Sequence, residues 1–100
     1  MRQFRLSVAA DDDMRKIAAH TLQQWGQQKR DAYINDLFDA FEQLSVTPQI
    51  AARVDEIRKG YQKFPQGSHV IFFLVSKLHD IEIIRVLHKR MDAGAQLSSP

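Results

Sequence analysis

The chain has 100 residues, 44% hydrophobic and 26% charged, which is ordinary for one soluble globular domain. It holds no cysteine, which excludes disulfides and thiolate metal sites and fits a reducing cytoplasm. The formal charge of +2 is too small an excess to argue by itself for nucleic-acid binding. The opening "MRQFRLSVAA" lacks the apolar run of roughly 7–15 residues that a signal peptide needs. The block from Val70 to Val75 is far too short to span a bilayer. A soluble cytoplasmic protein with no membrane contact is expected.

In chain order, "RQFRLSV" alternates as a short strand, with Phe4 and Leu6 on one face and Arg5 on the other. Ser7 stands where a helix N-cap belongs, and Asp11, Asp12 and Asp13 suit the positive end of that helix. Met14, Ile17, Ala18, Leu22 and Trp25 form one apolar stripe at steps of three and four, so Trp25 is expected in the core. Gly26 stops the helix. A second stripe runs through Tyr33, Ile34, Leu37, Phe38, Phe41 and Leu44 until Thr47-Pro48 ends it. The link between the two is so short that they must form an antiparallel hairpin.

"DEIRKG" reads as a loop, "YQKF" as a strand, and "PQGS" as a hairpin turn. "HVIFFLVS" is apolar on both faces and belongs in the middle of a sheet beneath the helices. "KLHD" turns the chain and "IEIIRVLHKR" returns. Strict alternation there puts Ile81, Ile83, Arg85, Leu87 and Lys89 on one face, and Glu82, Ile84, Val86, His88 and Arg90 on the other. The expected fold class is α+β: strand, helix, helix, then three strands, with the helical hairpin packed on an antiparallel sheet. Residues 1–92 make the single domain. The tail 93–100 has little to bury and is expected to be mobile.

Charge is unevenly spread. From Arg58 to Val75 there are three cations and no carboxylate, and from Arg85 to Arg90 three more, again without an acid. RNA cleavage by 2′-hydroxyl attack needs a base, an acid and cations around the phosphorane. His69 and His88 supply the first two types, and Arg85 and Arg90 the third, but spacing alone does not bring them together. Solvated strand-end residues fit the same pattern. Asp11, Asp12 and Asp13 cannot converge on one metal ion, because neighbours on a helix diverge by about 100°. His20 and His79 stand isolated. No glycine-rich phosphate loop, HExxH or GxSxG is present.

Three segments in order, "WGQQKRDAYINDL", "DEIRKGYQKFPQGSHVIFF" and "IRVLHKRMD", resemble the ParE family of toxins of type II toxin–antitoxin systems. The specific parts are "GSHVIFF" and "RVLHKRMD", and the likeness runs from about Phe4 to Asp92. It implies the fold just described, inhibition of DNA gyrase by protein–protein contact, no catalysis and no cofactor or metal. It also implies neutralisation by a ParD-like antitoxin with a ribbon-helix-helix DNA-binding domain and an acidic segment. DNA would then be met only through the antitoxin or gyrase. Lys63, His69, Arg85, His88, Lys89, Arg90 and Met91 become the expected partner-binding residues. The alternative is a RelE-like ribosome-dependent mRNA endoribonuclease using His69, His88 and Arg90. Against it, His69 stands where that family carries an arginine, and no tyrosine follows Tyr61.

Overall fold

The computed structural model describes residues 3–76 and 80–97. Strand β1, Phe4–Leu6, leads through the N-cap Ser7 into α1, Val8–Trp25. The Ser7 hydroxyl accepts the Ala10 N–H at 3.0 Å, satisfying one of the helix's unpaired first-turn donors. Gly26 ends α1 with φ at +89°, a conformation that costs other residues a steric clash, and its N–H closes on the Leu22 carbonyl. Helix α2, Gln27–Val46, starts at the next residue, so the two helices fold back as the expected hairpin. Thr47 caps α2, and Pro48–Ile50 form a single 3-10 turn.

The sheet has five strands in the order β1-β5-β4-β3-β2. The others are β2, Ala52–Arg53; β3, Gln62–Gln66; β4, His69–Val75; and β5, Ile81–His88. As expected, the doubly apolar strand β4 is central. Two features differ from expectation. Strand β1 joins β5 in parallel, Phe4 opposite Ile81 and Leu6 opposite Ile83, so the sheet is mixed. The helical hairpin and strands β2–β4 lie between the two in the chain, ample length for a parallel connection. The two-residue β2 adds an edge beside β3, too short to show a period in sequence. The turn expected at Lys77, Leu78 and His79 lies outside the described residues.

Strict alternation in β5 also fails, for a local reason. Phe72 pairs with Arg85 but Phe73 pairs with Ile83, so Ile84 is an extra residue in a β-bulge. Beyond it the faces exchange. Ile81, Ile83 and Val86 pack under the helices with Ala10, Met14, Ile17, Leu37, Phe41, Leu44, Ile71 and Phe73. Leu87, expected beside Ile81 and Ile83, instead joins Phe72, Val54 and Leu97 in a second cluster, with Ile84 packed against it. Each large side chain buried this way contributes about 1.5–3 kcal/mol.

That second cluster corrects the reading of the C-terminal stretch. Ala93–Leu97 form a short helix, α3, and Leu97 is only 4% exposed. The Arg58 guanidinium donates to the Leu97 carbonyl at 3.3 Å. Sequence gave no sign of it, because one leucine among small and polar residues makes no stripe. Residues 98–100 lie outside the described region.

Candidate functional site

The bulge sets the geometry at the end of β5. The Asp13 carboxylate, in the second turn of α1, accepts the Arg85 guanidinium at 2.7 and 2.9 Å and the Val86 N–H at 3.0 Å. The Ser7 hydroxyl also donates to the Ile84 carbonyl at 2.7 Å, so the start of α1 is fastened to the bulge twice. Hydrogen bonding to Asp13, foremost, holds the Arg85 guanidinium even further above its ordinary basicity. Arg85, one of the expected contact residues, is thus committed within the chain. Asp13 was read as a helix-end charge, and its partner 72 residues away carries no local signal.

Beyond the bulge, His88 lies directly across from His69, with ring centroids 5.4 Å apart. A regular β5 would have turned His88 away from the face of Ile81 and Ile83. Both imidazoles line an open groove of about 510 Å³ with His20, Thr21 and Trp25 of α1, Lys29, Ala32, Tyr33 and Asp36 of α2, and Ser68. Trp25 is 65% exposed and Leu22 42%, which corrects the expectation of a core tryptophan. Periodicity identifies a helix face but not how far the covering sheet reaches. The buried residues of α1 all fall between Ala10 and Ile17. The Lys29 ammonium lies 5.2 Å from the centroid of the Trp25 ring.

Tyr33 organises this groove. Its hydroxyl lies 2.6 Å from His69 Nδ1, accepts the Ser68 N–H at 3.0 Å, and is 3.4 Å from the Gln66 carbonyl. Phenol and imidazole share this short contact, and the Gln66 carbonyl also lies within reach of the hydroxyl proton. Across the pair, the Arg90 N–H donates to His88 Nδ1 at 3.1 Å. A backbone N–H can only donate, which makes the His88 Nδ1 an acceptor. Neither Nε2 has a hydrogen-bonding partner among the described residues.

Burial, then His88 and His20 nearby, push the His69 imidazole down to about 4, so it is neutral near pH 7. Burial raises the Tyr33 phenol, against the Ser68 N–H bond. At Gly67, φ is +61° and an added Cβ would meet the Tyr33 ring at 2.6 Å, so the β3–β4 turn and the tyrosine require one another.

Of the seven residues expected to bind a partner, only His69 and His88 line the groove. Lys89, Arg90 and Met91 follow β5 and are exposed. Lys63 is exposed on β3 opposite Phe72, whose side chain belongs to the second cluster. Sequence reasoning did not anticipate Tyr33, Trp25, Lys29 or His20 here. The one available signal was that Trp25, Lys29 and Tyr33 recur every four residues across the Gly26 break. No group of three metal-ligating side chains occurs among the described residues. No helix there is long and apolar enough to cross a membrane.

A helical hairpin on a small mixed sheet, with a groove at the sheet's end, defines an α+β domain. The chain resembles, with a TM-score of 0.73 and 18% identity, a structure titled "Chromosomal ParDE TA system from P. aeruginosa", covering 88% of this chain and 96% of that one. At that identity the likeness concerns fold. A family model described as "ParE toxin of type II toxin-antitoxin system, parDE" matches residues 4–93. Proteins named Toxin ParE1 are similar as well. One from Mycobacterium tuberculosis is 36% identical over 95 residues, covering 95% of this chain and 97% of that protein. One from Caulobacter vibrioides is 35% identical over 97 residues, covering 97% and 99%. The chain belongs to the ParE toxin family of type II toxin–antitoxin systems.

Proposed function

We propose that this ParE-family toxin acts in the cytoplasm by binding DNA gyrase, breaks no covalent bond itself, and is neutralised by a ParD-like antitoxin. The observation that supports the non-catalytic part is the Asp13–Arg85 ion pair, which takes a strand cation away from the histidine pair. A general base must offer a lone pair to the substrate, and at His88 the Nδ1 lone pair is already engaged by the Arg90 N–H. Arg85, which lies within β5 itself, is held by Asp13. The engaged His88 nitrogen counts against the RelE-like alternative, which would use His69, His88 and Arg90.

Lys89, Arg90 and Met91, exposed just past β5, suit contact with other polypeptides. Guanidinium and ammonium groups match an acidic antitoxin segment, and a thioether adapts to irregular surfaces. Lys63 offers a second cationic contact on another part of the sheet.

The test is a gyrase assay with the purified chain. Supercoiling is expected to stop, or cleaved DNA to accumulate, and the cognate antitoxin is expected to reverse the effect. Undiminished supercoiling at large toxin excess, with folded protein, would remove gyrase from the account.

A further inference from the structure

The turn after β5 carries Lys89, Arg90 and Met91 into solvent, and the backbone N–H of each has an acceptor. Lys89 donates to the Ser68 carbonyl at 3.0 Å, Met91 to the His88 carbonyl at 2.9 Å, and Arg90 to His88 Nδ1 at 3.1 Å. Carbonyl oxygens accept at any pH in the ordinary range. A ring nitrogen accepts only while it is unprotonated. We infer that His88 is a positioning residue for this turn: its free Nδ1 holds the Arg90 peptide, and protonation of the ring releases it. That the turn meets a partner rests on the function proposed above; the coupling of ring to peptide does not.

The conflict is geometric. A charged imidazole carries a proton on both nitrogens, so two N–H donors 3.1 Å apart would point at one another with no acceptor between them. Either the ring turns away or the Arg90 peptide swings to water. The N–H groups on both sides of Arg90 keep their carbonyl partners, so the change is confined to one peptide and the guanidinium beside it. Asp92 likewise keeps the start of α3, through its carbonyl to the Gln96 N–H and its carboxylate to the Ala95 N–H.

The groups that share the groove with His88 are His69 of β4, His20 of α1, and Lys29, Tyr33 and Asp36 of α2, while Lys89 and Arg90 follow it in the chain. Asp13 of α1 is taken up by Arg85 and the Val86 N–H. Imidazole as a side-chain type changes charge between about pH 5 and 8. His69, lowered to about 4, stays neutral through that window, so a transition there is not its own. A variant of His20 separates the remaining ring from His88.

The experiment is ¹H–¹⁵N NMR of the ¹⁵N-labelled full chain from about pH 8 to about pH 5. At the upper end a coupling across the hydrogen bond should join the Arg90 amide nitrogen to His88 Nδ1. As the His88 ring takes up its proton, that coupling should vanish, and the Arg90 amide signal should move with the midpoint of the ring. Its exchange with water, corrected for the intrinsic effect of pH, should rise about 5-fold relative to Met91, as expected for losing one modest hydrogen bond. His88→Asn offers an acceptor that does not ionise, and should keep the Arg90 amide held and insensitive to pH. His88→Phe offers none and should leave it free throughout. No coupling at the upper end, an Arg90 signal indifferent to the ring's titration, a transition that survives in His88→Asn, or one abolished by His20→Gln would overturn the inference. A coupled, pH-dependent Arg90 beside unaffected gyrase would keep this device and remove the proposed target. Inhibited gyrase beside a pH-silent Arg90 would remove the device alone.

Discussion

The two halves of α1 share one apolar stripe and do different work. The first half is clamped: Ala10, Met14 and Ile17 are buried, and Asp13 holds both Arg85 and the β5 backbone. The second half leaves Leu22 and Trp25 exposed, and His20, Thr21 and Trp25 become one wall of the groove. Burial in the first half stabilises the domain. In the second half, apolar surface is left in water beside positioned polar groups, the arrangement of a binding surface. The bulge at Ile84 divides β5 in the same way, with core before it and the histidine pair after it.

Substitutions can test this division, beginning with the clamp. Asp13→Ala leaves Arg85 and the Val86 N–H without their acceptor and is expected to cost about 3 kcal/mol, near the low end for a broken buried ion pair. Urea denaturation measures it. A cost near that of a surface change would place the fastening elsewhere. At the junction of sheet and groove, Gly67→Ala combines a strained φ with a clash against Tyr33, and about 2 kcal/mol should be lost. The His69 ring signals should shift with it. Tyr33→Phe removes the hydroxyl shared by His69 and Ser68 and should cost about 1 kcal/mol by the same denaturation assay.

The groove also predicts a pH signature. The His69 imidazole is lowered from 6.5 to about 4, so between those values the unfolded chain binds more protons than the folded one. Its contribution to stability is complete above pH 6.5 and is lost as pH falls toward 4. The wild-type minus His69→Gln difference in unfolding free energy should decline across that window, a comparison that cancels the carboxylates. A flat difference would mean an ordinary, solvated histidine. Smallest of all, Trp25→Ala should change stability by no more than about 0.5 kcal/mol, since its ring is largely in water. A larger loss would return Trp25 to the core.

What sequence could show follows from how local each signal is. The Ser7 cap, the Gly26 stop, Thr47-Pro48 and the two stripes lie within a few residues of what they determine, and both helices were legible from them. The central place of β4 was legible too, because a strand covered on both faces is apolar on both. Parallel pairing of β1 with β5, the Asp13–Arg85 pair and the burial of Leu97 join distant residues, and no short pattern records them. The bulge is the instructive case. One extra residue exchanges faces along β5, so a correct strand assignment still predicted the wrong neighbours for Leu87 and His88. His69 and His88 were named as candidates from residue type. Their meeting depends on that bulge, and the partner each ring holds depends on Tyr33 and on the Arg90 backbone.

One preparation of the purified chain, offered both gyrase with plasmid DNA and ribosomes translating a defined message, puts the whole account at risk. If the molecule is a binder, gyrase stalls while the 5′ ends of the message stay unchanged. Cuts at fixed codon positions that vanish in His69→Ala or His88→Ala, with supercoiling untouched, would show a nuclease instead.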